Sequence, residues 1–437
     1  MRHRSGSVAG LGMAAITTVL ALLMPSGGAV ATGAAPPDRP TTTRATTHLL
    51  TPAHGPRVSP RFFGMHVPRL AEELPDAPVG AVDLTTNGVY WPTLEPSPGG
   101  WDFSRLDAVL AQARADGVTP LVVLGGTPAF HSTSAETPSW PSVPRMSAWK
   151  AFVTAVTAHV AATHAGAVDY QIWPEPNVPN NFTGTPQQMA DLVAAAAGII
   201  HRTSADATVV APAMVLRFRG ERRFMTEFFD AEVRGTPVGD LVDAVGVDPY
   251  PLEQGTPEDA LALVRNAQRS LAAAGVTAPV WSLEINYGVP TGGVTSAAPM
   301  PPRTQAAYVI RTYVTSAAAG VRRVYWLGWM RYYALAVSMV QSDGVTPTAA
   351  GRAFARVHDW LVGRRARGCT HDRTSGVYAC TFVRNGSTSR IYWVASGTAK
   401  VRVPAGARRV QRMTGAVSRV RPGDPVRVTG APVLVYR

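Results

Sequence analysis

Val168-Asp169-Tyr170-Gln171-Ile172-Trp173-Pro174-Glu175-Pro176-Asn177 is the stretch on which the fold turns. Its first half is short, apolar and aromatic, which reads as a buried strand; Pro174 and Pro176 then end it. On either side lie helix-length stretches, 146–164 before and 186–203 after, each with apolar residues recurring on one face. A strand between two helices, with an acidic residue just past its C-terminal end, is one unit of an alternating βα chain.

Working outward, the same unit recurs. Candidate strands fall at 62–67, 81–84, 120–124, 168–173, 208–212, 244–247, 280–283 and 323–327, and further helical stretches at 104–116, 257–274 and 304–319. Eight strands with intervening helices predict a (β/α)8 TIM barrel over 58–362. A doubly wound sheet shares the alternation, but no G-x-G-x-x-G follows an early strand, so a dinucleotide cofactor is not expected. Beyond Trp360 the helical period stops. Runs at 391–394, 400–403, 410–413, 426–428 and 433–436 are separated by Gly, Pro and Ser, which predicts a small all-β, sandwich-like domain over 363–437.

The two ends of the chain differ from the middle. Arg2 and Arg4, the apolar run from Val8 to Met24, and Ala29-Val30-Ala31 have the layout of a signal peptide over 1–31, with Thr32 as the mature start. Secretion is therefore expected, with no transmembrane segment in the mature form. Residues 32–57 are rich in Thr, Pro and Ala and read as a linker, ending in one strand near His48-Leu49-Leu50. Residues 361–437 hold 15 Arg/Lys against 2 Asp/Glu, a net of +13 within a whole-chain charge of +12. That excess either draws the domain to an anionic surface, such as a cell-wall polymer or acidic glycan, or solvates a small β domain. The domain lacks the interleaved aromatics of a nucleic-acid platform. In a secreted chain the two cysteines, Cys369 and Cys380, are expected to form a disulfide across a turn at 372–376.

Active sites of TIM barrels lie at the C-terminal ends of the strands. Glu175 stands there after the fourth strand, and Glu284, in Val280-Trp281-Ser282-Leu283-Glu284-Ile285-Asn286, after the seventh. These strands face each other, so two carboxylates can flank one bond. That is the equipment of a glycosidase, one group protonating the leaving oxygen and the other attacking the anomeric carbon or activating water against it. No G-x-S-x-G suggests a serine hydrolase, and no His/Asp/Glu set has metal-ligand spacing along the chain.

The ordered motifs resemble clan A of the glycoside hydrolases, and within it family 39 and its actinobacterial relatives. The clan's W-N-E-P appears as Trp173-Pro174-Glu175-Pro176. A strand-two passage appears as Trp91-Pro92-Thr93-Leu94-Glu95-Pro96 and Gly100-Trp101-Asp102-Phe103, and the strand-three motif as Thr127-Pro128-Ala129-Phe130. Strand six ends in Asp248-Pro249-Tyr250-Pro251, and strand eight holds Tyr325-Trp326. The resemblance implies a retaining hydrolase with Glu175 as acid/base and Glu284 as nucleophile, their carboxyls about 5–5.5 Å apart, where an inverting pair needs about 6.5–9.5 Å. It implies a Tyr250 bond to Glu284 and a sugar stacked on Trp326; the other readings are that Tyr250 packs the barrel rim and that Trp326 is a core residue.

Other residues at the mouth have two readings each. Asn177 and Asn286 either bind hydroxyls or serve turns. His131 faces the same rim, and Trp173 would desolvate Glu175. Trp91 and Glu95 read as structural, and Asp248 as a turn residue. Two positions depart from the clan: Pro174 replaces an Asn that contacts the sugar 2-hydroxyl, and Asp83 replaces an Arg that supports the nucleophile. A carbohydrate-binding protein on a degenerate hydrolase scaffold and a wall-remodelling transglycosylase therefore remain alternatives.

Overall fold

The computed structural model describes residues 46–50, 55–72, 76–134, 136, 139–291 and 296–437. The signal segment and most of the 32–57 extension lie outside the described residues.

Eight parallel strands form the barrel: β1 (Phe63–His66), β2 (Ala81–Asp83), β3 (Thr119–Leu124), β4 (Asp169–Ile172), β5 (Thr208–Val210), β6 (Val245–Asp248), β7 (Val280–Ser282) and β8 (Val324–Trp326). They pair in order from β5 through β1 to β8, β7 and β6. A parallel bridge between Val210 and Ala244 closes the ring. Pro212 lies in the break after β5; the chain then resumes as Met214–Val215, paired with β6. All six residues of β3 are buried, as expected for a strand covered on both faces. The eight strands and five helices expected from the sequence lie within two residues of their observed bounds. Two longer helices were not among those expected, Arg219–Phe229 and Ala349–Leu361.

The outer helices are placed by their ends. Thr185 caps Pro186–Thr203 by accepting from the Gln188 amide, and Pro186 needs no amide partner in the first turn. One large apolar core lies between helices and strands. A small second cluster, including Ala81, Leu121, Val210, Trp281, Leu283 and Tyr325, gathers residues of several barrel strands. Arg323 pairs with Asp169 and lies 4.0 Å from the Trp281 ring centroid.

The C-terminal domain is antiparallel. Strands β9 (Arg365–Asp372), β10 (Val377–Arg384) and β11 (Ser387–Val394) form a meander. Val433–Tyr436, Arg409–Arg412 and Val417–Arg419 extend this sheet, and Ala399–Arg402 pairs separately with Pro425–Val428. Apolar residues of both sheets, among them Val394, Val410, Val428 and Val435, share one core. Cys369 and Cys380 are directly opposed on β9 and β10 and are joined as a disulfide. The strand Thr46–Leu50 adds to the far edge of this sheet, against β9. Among the described residues, no helix is long and apolar enough to cross a membrane.

Candidate active site

Glu175 follows β4 by three residues, and the backbone turns sharply to present it. Trp173 and Glu175 both take positive φ, 64° and 44°, which few non-glycine residues do outside functional sites. Gly125 at the end of β3 permits the turn, since a Cβ there would lie 2.9 Å from Pro174 Cδ. The Trp173 indole is fully enclosed and donates to the Asn181 carbonyl at 2.9 Å. Asn181 in turn donates its side-chain amide to Glu175 Oε2 at 3.1 Å. Glu175 Oε1 has no partner.

Glu284 sits across the barrel, two residues beyond β7. Its Oε2 accepts from the Tyr250 hydroxyl at 2.9 Å, and its backbone amide donates to Asp248 Oδ1 at 2.8 Å. Glu175, Asp248 and Glu284 are all buried, and one carboxylate oxygen from each lies within 4.8 Å of the others. Asp248 is thus not merely a turn residue before Pro249, as its sequence setting suggested. It is the third member of a carboxyl cluster that no spacing along the chain announces, because its members come from three strands. The same three carboxylates are close enough to hold a cation. Their nearest partners, however, are hydrogen-bond donors: the Asn181 amide, the Tyr250 hydroxyl and the Glu284 amide. Those donors take up one oxygen of each carboxyl and leave Glu175 Oε1 and Asp248 Oδ2 without a partner.

Burial pushes Glu175 well above the usual carboxylate range, and the charges of Glu284 and Glu221 add to it. Glu284 is also raised by burial, but the charge of His66 and the Tyr250 hydrogen bond oppose the rise. Both carboxyls are raised, Glu175 the more strongly, so of the two Glu175 holds its proton to the higher pH. Asp248 is pushed well above its usual value by burial and by both neighbouring glutamates, so it too is favoured as a neutral acid.

The remaining sequence candidates are placed differently. The Asn177 side chain donates to the Val215 and Glu221 carbonyls and accepts from the Val215 amide. That of Asn286 donates to the Leu327 and Val337 carbonyls and accepts from two amides. Where the sequence allowed hydroxyl binding, both amides are spent on bracing loops. His131 bonds Glu95 at 2.9 Å, and Glu95 also accepts from the Trp91 indole at 2.6 Å. These three form a packed unit between the β2 and β3 loops. Trp326 is fully buried, with ring centroids 6.1 Å from Tyr287 and 6.2 Å from Tyr313, and its Nε1 has no partner.

Sequence reasoning did not single out Asn181, His66 or Tyr90. The Tyr90 hydroxyl has no partner, and burial with the charges of Asp83 and Glu284 raises it far above an ordinary phenol. Nothing in its local sequence marks it, because its setting is made by distant strands.

No protein-family model matches the sequence, and no curated protein matches it. Solved structures do. A family 39 glycoside hydrolase from Bacteroides cellulosilyticus WH2 superposes with a TM-score of 0.65 at 16% identity, over 87% of this chain and 82% of that one. A glucosidase from Croceicoccus marinus gives 0.60 at 14% identity, over 89% and 97%. A GH30 endoxylanase from Clostridium papyrosolvens C71 gives 0.58 at 13% identity, over 88% and 97%. The likeness spans barrel and β domain, and the chain shares the fold of these glycoside hydrolases.

Proposed function

We propose that this chain is a retaining glycosidase that cleaves O-glycosidic bonds of a polysaccharide or oligosaccharide. The observation that carries this reading is the meeting of Glu175 and Glu284 across the barrel mouth, with an oxygen of each within 4.8 Å. That closeness favours direct attack over an inverting pair set about 6.5–9.5 Å apart to admit water. In the first step Glu284 attacks the anomeric carbon while Glu175 gives its proton to the leaving oxygen. In the second, water attacks the glycosyl-enzyme and Glu175 takes the proton back. Loss of the charge on Glu284 in the intermediate lowers the proton affinity of Glu175, and regeneration of Glu284 restores it.

Trapping tests this. A 2-deoxy-2-fluoroglycoside with a good leaving group should label Glu284, and the label should appear on its peptide by mass spectrometry. Gluco- and xylo-configured probes come first, given the glucosidase and endoxylanase among the similar folds, with furanosides next because Pro174 offers no 2-hydroxyl donor. Binding of glycans without labelling or turnover of any probe would favour a carbohydrate-binding protein. Transfer products exceeding hydrolysis would favour a transglycosylase.

We infer further that the protein is secreted and that its basic domain is drawn to anionic wall polymer. The signal-like residues 1–31 support the first. The net charge of +13 over 361–437, with Arg409, Arg412, Arg419 and Arg427 all exposed, supports the second.

A further inference from the structure

Four arginines meet where the barrel hands over to the β domain, and no carboxylate accompanies them. Arg57 and Arg365 are directly opposed across an isolated antiparallel bridge. Like charges placed opposite one another destabilise a pairing unless something neutralises them. Arg57 Nη1 donates to the Gly363 carbonyl at 2.7 Å, and Arg365 Nη1 donates to the Gly55 carbonyl at 3.2 Å. Arg384, the last residue of β10, lies over the same glycine, its Cζ and Nε each 3.5 Å from where a Gly363 Cβ would stand. Two guanidinium groups thus rest on Gly363, and Arg364 follows it in the chain. Backbone bonds fix the frame that carries them. The Gly363 amide donates to the Val58 carbonyl, and the Val58 amide to the Arg364 carbonyl, both at 2.8 Å.

Among the described residues, none of the four forms an ion pair. The chain itself withholds acids here: residues 39–71, 360–371 and 373–423 contain no Asp or Glu. Arg57, Arg365 and Arg384 are exposed, so a ligand in solvent can reach them. Arg364 is only partly exposed, and its Nε is buried without a partner. Burial lowers its proton affinity, and the charge of Arg384 lowers it further. A solvated cationic face accounts for the three exposed groups but not for the unpartnered nitrogen among them. We propose that Arg57, Arg364, Arg365 and Arg384 form an anion site for a phosphate group, free or carried on a polymer. A carboxylate offers two oxygens in one plane. A phosphate presents its oxygens around a tetrahedron, so guanidinium forks arriving from three segments can share it. Those segments are the stretch before β1, the connection into β9 and the end of β10. A bound phosphate neutralises the opposed Arg57 and Arg365 and ties the three segments together. The site stands at the domain junction and does not depend on the glycosidase reading.

Melting of the full chain tests this, with inorganic phosphate as probe and sodium chloride at matched ionic strength as reference. Phosphate should raise the melting temperature clearly more than chloride does. In Arg57→Gln/Arg384→Gln that extra rise should vanish, while the phosphate-free variant at low salt should melt no lower than native, because repelling charges have gone. Arg384→Gln alone breaks no hydrogen bond among the described residues and should move both readings in the same direction. Arg409→Gln/Arg412→Gln removes the same formal charge from the exposed face of the β domain and should keep the phosphate response. By calorimetric titration, phosphate affinity should fall about tenfold or more in the junction variant and less than about twofold in the other. Linear polyphosphate separates the two sources. Tighter binding than free phosphate, lost in the junction variant, assigns the site to a polymer; equal binding per phosphate assigns it to the free ion. Tighter binding of polygalacturonate at the junction would overturn the choice of phosphate over carboxylate. A phosphate response no larger than that of chloride would overturn the site. Equal loss in the junction and exposed-face variants would do so too, and would leave the general attraction of the basic domain to anionic polymer standing.

Discussion

The backbone amide of Glu284 donates to Asp248 Oδ1 at 2.8 Å, so the carboxyl that ends one barrel strand fixes the peptide carrying the carboxylate beyond the next. The other Asp248 oxygen has no partner, and burial together with Glu284 and Glu175 favours the neutral acid. Asp248→Asn preserves an accepting oxygen without charge and should keep kcat within about tenfold of native. Asp248→Ala leaves a buried amide unpaired, at about 1–3 kcal/mol, and should lower kcat by about ten- to hundredfold. Steady-state kinetics of both on an aryl glycoside compare them; equal losses would show that the amide contact is not what Asp248 contributes.

Tyr250→Phe removes the hydroxyl bonded to Glu284 Oε2. A hydrogen bond to a charged group contributes about 1.5–3 kcal/mol, so kcat/KM should fall by about ten- to hundredfold. Because that bond holds the proton affinity of Glu284 down, the acid limb of the pH profile should move to higher pH. A rate loss with the acid limb in place would contradict the role given to Tyr250.

Glu175→Gln should stabilise the protein at alkaline pH while crippling it on substrates with poor leaving groups. The folded protein raises the proton affinity of Glu175 above its unfolded value. Its neutral form therefore contributes stability that is fully present below about pH 4, the range in which a free glutamate titrates. That contribution is lost as pH rises through the folded value, and a glutamine does not lose it. The melting temperature of Glu175→Gln relative to native should be near zero at about pH 4 and positive by a few degrees at about pH 8. A difference that is flat with pH would show that Glu175 ionises without penalty.

Glu258 joins the two domains. Its Oε1 accepts from Arg311 Nε at 2.9 Å and from the Trp393 indole at 2.8 Å, and its Oε2 accepts from Arg311 Nη2. The Arg311 side chain is 3% exposed, so Glu258→Ala strands a buried cation. Breaking such a pair costs about 3–5 kcal/mol. A clear drop in melting temperature and faster proteolysis between barrel and β domain are expected. A variant that melts within a degree of native would show that the contact contributes nothing.

Attraction of the basic domain to anionic polymer should weaken with salt. Cosedimentation of the full chain with an anionic wall polymer should fall steeply between low and high ionic strength, and less steeply after Arg409, Arg412, Arg419 and Arg427 are changed to Gln. Salt-independent retention would point to sugar recognition rather than charge.

The barrel was legible because its strands are buried on both faces and its helices on one, which writes two distinct periods into the chain. The disulfide was legible because two cysteines flank a turn. Glu175 and Glu284 were legible as acidic residues at strand ends. The support around them was not. Asp248, Asn181 and His66 act through partners that are distant in sequence or hidden in a loop, and a proline beside Asp248 gave it the look of a turn. For Asn177 and Asn286 the sequence left two readings, and the bracing one is what their hydrogen bonds show. Position placed them at the mouth, and the backbone groups that take up their side-chain amides come from segments 38 to 51 positions away.

The strand Thr46–Leu50 pairs with β9, and Arg57 reaches the Gly363 carbonyl 306 positions away. During synthesis the first of these segments leaves the ribosome long before the second exists. The pairing has to wait until β9 has been made, so during synthesis the first strand is a late-returning latch. A chain stopped anywhere before β9 would leave that latch with nothing to close on.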